Sequence, residues 1–273
     1  MATFVGLNYQ PTNTNKRKRH KIIMNKILRF VSNIFYPVSC ISCGGFEDNK
    51  IFCGKCLELL NKEAFAECEK CKNPPDLCNC RKLLHIDEIF YKYFYRGVEI
   101  KKAIYKYKRA NLYYINEFFA KDMFTLIEKS DRINIDELAY VTNVPRRTKS
   151  VRHFGYDQTK NLAKIIAKYA GVPYKPLLRT KGKAQEQKKL NYRERVANVK
   201  NRYVPVNNGR ESEYNVLLID DIMATGSTLS ECARVLKNTG AKKVYALCIA
   251  SIAGFDYGKS DKAKSNENEN NKN

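Results

Sequence analysis

The hydrophobic positions of this chain change period several times, and each change marks an element. Val216-Leu217-Leu218-Ile219 is an unbroken apolar run ending at Asp220 and Asp221, the pattern of a strand buried on both faces. Small residues, Ala224 to Thr228, follow. Beyond them Leu229, Cys232, Ala233 and Leu236 share one helical face until Gly240, and Val244 to Ile249 reads as another strand. Strand, helix and strand in that order imply parallel pairing and an α/β sheet, with ligands gathering at the carboxyl ends of the strands.

The alternation extends upstream. Ile89 to Tyr95 alternates as a strand, Gly97 breaks it, and Glu99 to Arg109 and Tyr113 to Glu128 carry helical spacing. Leu138 to Val141 is a short strand running out at Asn143-Val144-Pro145. A helix from near Asp157 then places Leu162, Ile165, Ile166 and Tyr169 on one face, and Gly171 with Pro173 closes it. Residues 174 to 202 hold ten basic residues against Glu186 and Glu194. Without early periodicity they predict a basic loop, which either closes over an anionic substrate or is a solvated insertion.

Before residue 36 the pattern differs. Ile23, Ile27, Phe30 and Ile34 fall on one helical face behind the basic run KRKRHK, which suits packing on the protein or lying on an anionic membrane. Lys26 and Arg29 interrupt any signal-peptide core. No apolar run reaches the roughly 18 to 20 residues that span a bilayer, so a cytoplasmic location is expected. The chain therefore divides into a disordered basic tail with an amphipathic helix (1 to 35), a cysteine module (36 to 85), a larger domain (86 to 257) and a disordered polar tail (258 to 273).

Charge sharpens the picture of the larger domain. The formal net charge is +22, and residues 86 to 257 hold 32 Lys and Arg against 18 Asp and Glu. Such a field attracts polyanions, whether nucleic acid or a polyphosphate metabolite, although lysine used simply as a solubiliser gives the same surplus.

Eight of the ten cysteines form close pairs: Cys40 and Cys43, Cys53 and Cys56, Cys68 and Cys71, Cys78 and Cys80. Paired cysteines at this spacing suit two structural zinc ions with four thiolates each. Sequential and interleaved pairings both fit the spacing, and His85 is an alternative ligand near the irregular last pair. A disulfide framework would instead call for a secreted protein. Cys232 and Cys248 sit at core positions and carry no chemistry.

Two stretches carry candidate anion chemistry. Ala224, Thr225, Gly226, Ser227 and Thr228 lie where a helix begins, and unsatisfied N–H groups there favour a phosphate, with hydroxyls adding donors. Arg146 and Arg147 open a basic loop after another strand, and guanidinium forks suit a diphosphate. His153 within that loop reads as incidental. Lys101, Lys102, Lys106, Lys108 and Arg109 interleave with Tyr105 and Tyr107, either as a single-stranded nucleic-acid platform or as a helix with tyrosines in the core and lysines in water.

VLLIDDIMATGSTL resembles the phosphoribosyl-pyrophosphate (PRPP) signature of type I phosphoribosyltransferases, and over residues 36 to 252 the chain resembles the ComF family associated with competence and DNA uptake. VPRRTKSVRHFGYDQ is similar to that family's VP…RGFNQ segment, and Gln187, Leu190, Arg195 and Asn198 match its Q…L…R…N run. The resemblance implies a parallel-sheet phosphoribosyltransferase-like domain behind a double zinc ribbon. It implies that Asp220 and Asp221 hold the ribose and that Ala224 to Thr228 hold the 5′-phosphate. Mg²⁺ would accompany PRPP. Two functions follow: a phosphoribosyltransferase with an unidentified acceptor, or a non-catalytic single-stranded DNA-binding module working with competence proteins.

Overall fold

A computed structural model describes residues 39–46, 51–64, 71–74, 78, 83–109, 113–146, 156–181, 199–207 and 213–252. The chain divides into two compact units, Met1–Cys53 and Gly54–Asn273. In the first, Ser39 bridges Phe46 and the Cys40 N–H donates to the Gly45 carbonyl at 2.8 Å, a tight turn with Gly44 at φ 80°.

The second unit is an α/β layer structure. Its elements are α1 (Gly54–Ala64), β1 (Glu88–Phe94), α2 (Val98–Arg109), α3 (Tyr113–Glu128), β2 (Leu138–Asn143), α4 (Gln158–Ala170), β3 (Leu178–Thr180), β4 (Tyr203–Pro205), β5 (Tyr214–Met223), α5 (Ser227–Asn238) and β6 (Ala241–Ser251). Four strands form a sheet in the order β1-β6-β5-β2, every pair parallel. The strand–helix–strand logic of the sequence holds.

The central position of β5 follows from its composition. Val216, Leu217, Leu218 and Ile219 are all fully buried, because strand alternation sends successive side chains to opposite faces and both faces are covered. Val216 and Leu218 join Val244, Ala246 and Cys248 in a cluster with Leu229, Cys232, Ala233 and Leu236 of α5. The other face meets α3 and α4, with Ile115, Phe119, Met123, Leu162 and Ile166 buried. Each such apolar side chain contributes about 1.5–3 kcal/mol on burial.

Local chemistry fixes the helix that follows β2. The Asp157 carboxylate accepts the Lys160 N–H at 3.1 Å as N-cap, and Gly171 ends α4 at φ 70° with its N–H on the Ala167 carbonyl. Two boundaries differ from the sequence reading. β5 does not stop at the acids but runs on to Met223, because β6 continues to pair with it as far as Ser251. The flanks of the basic loop are ordered: β3 and β4 pair antiparallel, and the Lys181 N–H donates to the Arg202 carbonyl at 2.7 Å. Residues 182–198, which carry the Gln187, Leu190, Arg195 and Asn198 run, lie outside the described residues, as do residues 1–38 and the tail from 253.

Among the described residues no helix is long and apolar enough to cross a membrane.

Candidate functional site

The carboxyl edge of the sheet assembles the site. β5 delivers Asp220 and Asp221 there, with Asp220 level with Cys248 of β6. Beside it the chain leaving β2 stays in register for one more bond, the Val144 N–H donating to the Ile219 carbonyl at 2.9 Å. That bond carries Arg146 up to the acids.

Three residues beyond the end of β5 the backbone turns at Gly226, whose φ of 78° lies in the left-handed region. A side chain there would be strained, and a Cβ would come within 2.5 Å of Leu83. Gly226 is the N-cap of α5 without a side-chain cap bond; the Ser227 N–H donates to the Thr225 hydroxyl at 3.3 Å, and the rest of the first turn keeps donor capacity for an anion. The Thr225 and Ser227 hydroxyls lie 2.7 Å apart at its rim.

Asp221 is the electrostatic centre of the edge. Its Oδ2 lies 3.1 Å from Lys108 Nζ and 3.6 Å from an Arg146 nitrogen, while its Oδ1 accepts the Ile222 N–H at 2.7 Å. Gln158, fully buried at the start of α4, accepts from Arg146 and donates its amide nitrogen to the Lys108 main-chain carbonyl at 2.5 Å. One amide thus ties α2 to the loop after β2. The neighbouring Tyr107 hydroxyl is buried with no hydrogen-bond partner among the described residues. Burial pushes that phenol well above its usual range, and the Asp221 charge adds to the shift.

Asp220 behaves differently. Burial pushes its carboxyl up to about 8 and the Asp221 charge adds to it, against the Asp221 N–H that it accepts at 2.8 Å and the fields of Lys108 and Arg146. Cys232 of α5 and Cys248 of the adjacent strand β6 are fully buried thiols raised by desolvation first and by Asp220 second. The reading of these cysteines as core residues fits that placement.

The structure therefore brings together Asp220, Asp221, Arg146 and the cradle from Ala224 to Thr228; Arg147 lies outside the described residues. Lys108 and Gln158 are site residues that the sequence reading did not assign. Lys108 follows the buried Tyr107 and lies four residues after the buried Ile104, so it stands at the margin of the core-facing stripe of α2. In the aromatic-basic helix Tyr107 is core, whereas Tyr105 is 56% exposed with the Arg109 guanidinium 4.3 Å from its ring centroid.

The sulfurs of Cys40, Cys43, Cys53 and Cys56 all lie within 4.8 Å of one another, with Cys43 and Cys53 at 3.8 Å. Thiolates on a tetrahedral zinc at about 2.3 Å stand about 3.8 Å apart, so the donor set fits and suggests zinc binding. Burial works to raise the Cys40 thiol, but hydrogen bonds from the backbone of Cys53, Cys43 and Ser42 outweigh it and bring it to about 6. Cys71 and Cys78 have sulfurs 3.7 Å apart; Cys68 and Cys80 lie outside the described residues.

Residues 161–271 match the family described as "Phosphoribosyl transferase domain". Over 144 residues the chain is 24% identical to competence protein F of Haemophilus influenzae, covering 52% of this chain and 63% of that protein. The chain thus spans less than two thirds of the length of that curated relative. Among solved structures it is similar to a glutamine PRPP amidotransferase from B. subtilis (18% identity, TM-score 0.33, 48% of this chain and 26% of that one). Adenine phosphoribosyltransferase from Saccharomyces cerevisiae is another (16% identity, TM-score 0.34, 55% and 77%). The chain is thus similar to competence protein F and, over residues 161–271, to the phosphoribosyl transferase domain family, and its described residues carry a parallel α/β sheet.

Proposed function

We propose that this site binds a phosphoribosyl group, and PRPP in particular. One observation carries the reading: Asp221, an acid that suits sugar hydroxyls, stands between two cations and five residues ahead of an uncapped helix N-terminus. A ribose set on the acids would place its 5′-phosphate at Thr225 to Thr228 and its anomeric substituent on the side of Arg146. Asp220 and Asp221 are assigned to the ribose, and Arg146 and Arg147 to the diphosphate. Mg²⁺ would arrive with PRPP and neutralise the pyrophosphate; the protein's own part is to orient the sugar and screen the charge that develops at its anomeric carbon.

As a transferase the protein would let a nucleophile form a bond to that carbon while the bond to pyrophosphate breaks, the electron pair leaving with pyrophosphate. The acceptor is unassigned. DNA uptake or nucleotide metabolism would be its setting. Equilibrium binding of PRPP with and without Mg²⁺ tests the reading, and absence of PRPP binding would sink it.

The exposed Tyr105, with Arg109 against its ring and Tyr113 exposed nearby in sequence, favours a second reading as a single-stranded DNA contact of the competence machinery. The two readings are compatible on one domain. A cytoplasmic location and two structural zinc ions complete the proposal.

A further inference from the structure

We propose that Lys108 is a ligand-binding residue of this site, its ammonium leaving Asp221 to take an oxygen of the ligand's diphosphate; this inference rests on the phosphoribosyl reading above. One carboxylate oxygen of Asp221 is shared by Lys108 at 3.1 Å and Arg146 at 3.6 Å. A ribose hydroxyl needs that same carboxylate. A sugar therefore settles there only if a cation gives way, and a cation gives way at little cost only if another anion receives it.

A ligand with a diphosphate on the anomeric carbon brings its own replacement anion. Ribose 5-phosphate does not. The pair of ion pairs on Asp221 thus makes the site discriminate in favour of a ribose with anions at both ends, and it does so before any loop moves.

The surroundings of Lys108 fix its backbone and leave its side chain, 35% exposed, within reach of a ligand. Its main-chain carbonyl is held by the fully buried Gln158 amide, which also accepts from Arg146, so both cations share one support. The adjacent Tyr107 contributes a buried hydroxyl with no partner among the described residues. α2 lies outside residues 161–271, so geometry alone makes the assignment.

The test compares three probes on the full chain by calorimetry: PRPP with Mg²⁺, inorganic pyrophosphate with Mg²⁺, and ribose 5-phosphate. Lys108→Met should weaken PRPP and pyrophosphate by about tenfold or more, the effect of losing one charge-assisted contact. It should leave ribose 5-phosphate unchanged or bind it more tightly, because Asp221 has lost a competitor. Lys108→Arg should retain most of the wild-type preference. Gln158→Glu, which keeps a partner for Arg146 but loses the donor to the Lys108 carbonyl, should show a smaller loss for the same two probes. Should the methionine variant fail to fold, Lys108→Gln removes the charge and carries the same expectation.

A merely structural lysine would weaken all three probes together, and that result would overturn the proposal. So would an unchanged pyrophosphate affinity in a variant that still binds PRPP. Wild-type protein that binds neither PRPP nor ribose 5-phosphate would overturn the phosphoribosyl reading itself, and this inference with it.

Discussion

Asp220 and Asp221 are consecutive residues of one strand and project to opposite faces of the sheet: Asp221 reaches Lys108 at 3.1 Å, whereas Asp220 lies level with Cys248 of β6. The two-residue period of a strand enforces that divergence. It sets the pair in two environments, a carboxyl whose pKa burial raises and a carboxylate flanked by two cations.

The first consequence concerns pH. The folded state raises Asp220 from the ordinary carboxylate range to about 8, so folding disfavours its ionisation. Stability from this group is complete below the unfolded value and is lost as pH rises through the folded one. Asp220→Asn, which cannot ionise, should be more stable than wild type at pH 7 to 9 by on the order of 1–3 kcal/mol, with the difference fading toward pH 4. Urea denaturation across that range checks it; a variant less stable at pH 8 than at pH 4, relative to wild type, would contradict it.

A second expectation follows from the close approach of Leu83 to Gly226. Gly226→Ala combines a left-handed backbone with a Cβ within 2.5 Å of Leu83 and should cost about 1–3 kcal/mol. It should also weaken phosphate binding by shifting the helix start. Adding Leu83→Ala should recover part of the stability but not the backbone strain, and a thermal-melting double-mutant cycle reads the difference. Additive losses would show that the two residues do not press on one another.

The cysteine cluster predicts tightly held zinc. Protein purified without chelator should carry zinc by elemental analysis, and Cys40→Ser should lower that content by about one ion per chain. Near-zero metal in the wild-type protein would refute the assignment.

Much of the fold was legible because its signals were local. The apolar run at 216–219 could only be a strand covered on both faces, and Asp157 with Gly171 announced both ends of α4. The extension of β5 past its acids was not legible, since it depends on pairing with β6 as far as Ser251. Likewise the cradle could be read from small residues before a helix, but the role of Lys108 could not. Lys108 becomes part of the site through its contacts with Asp221 and with Gln158, the latter 50 residues away in sequence, and no periodicity records such ties.

Single-stranded DNA binding, should it occur through α2, has its own signature. Tyr105→Ala should weaken it by about 1–3 kcal/mol, the worth of one stacked base, and affinity should fall steeply as salt rises. Fluorescence anisotropy with an oligothymidine over a salt series checks both, and a flat salt response would exclude a phosphate-tracking surface.

The central claim is recognition of phosphoribose at the carboxyl edge of β5. Calorimetric titration of the full chain with PRPP in the presence of Mg²⁺, repeated on Asp221→Asn, tests it most directly. The account predicts saturable, Mg²⁺-dependent binding by the wild-type protein that Asp221→Asn weakens by about tenfold or more; no heat of binding in the wild type, or equal affinity in the two proteins, would contradict it.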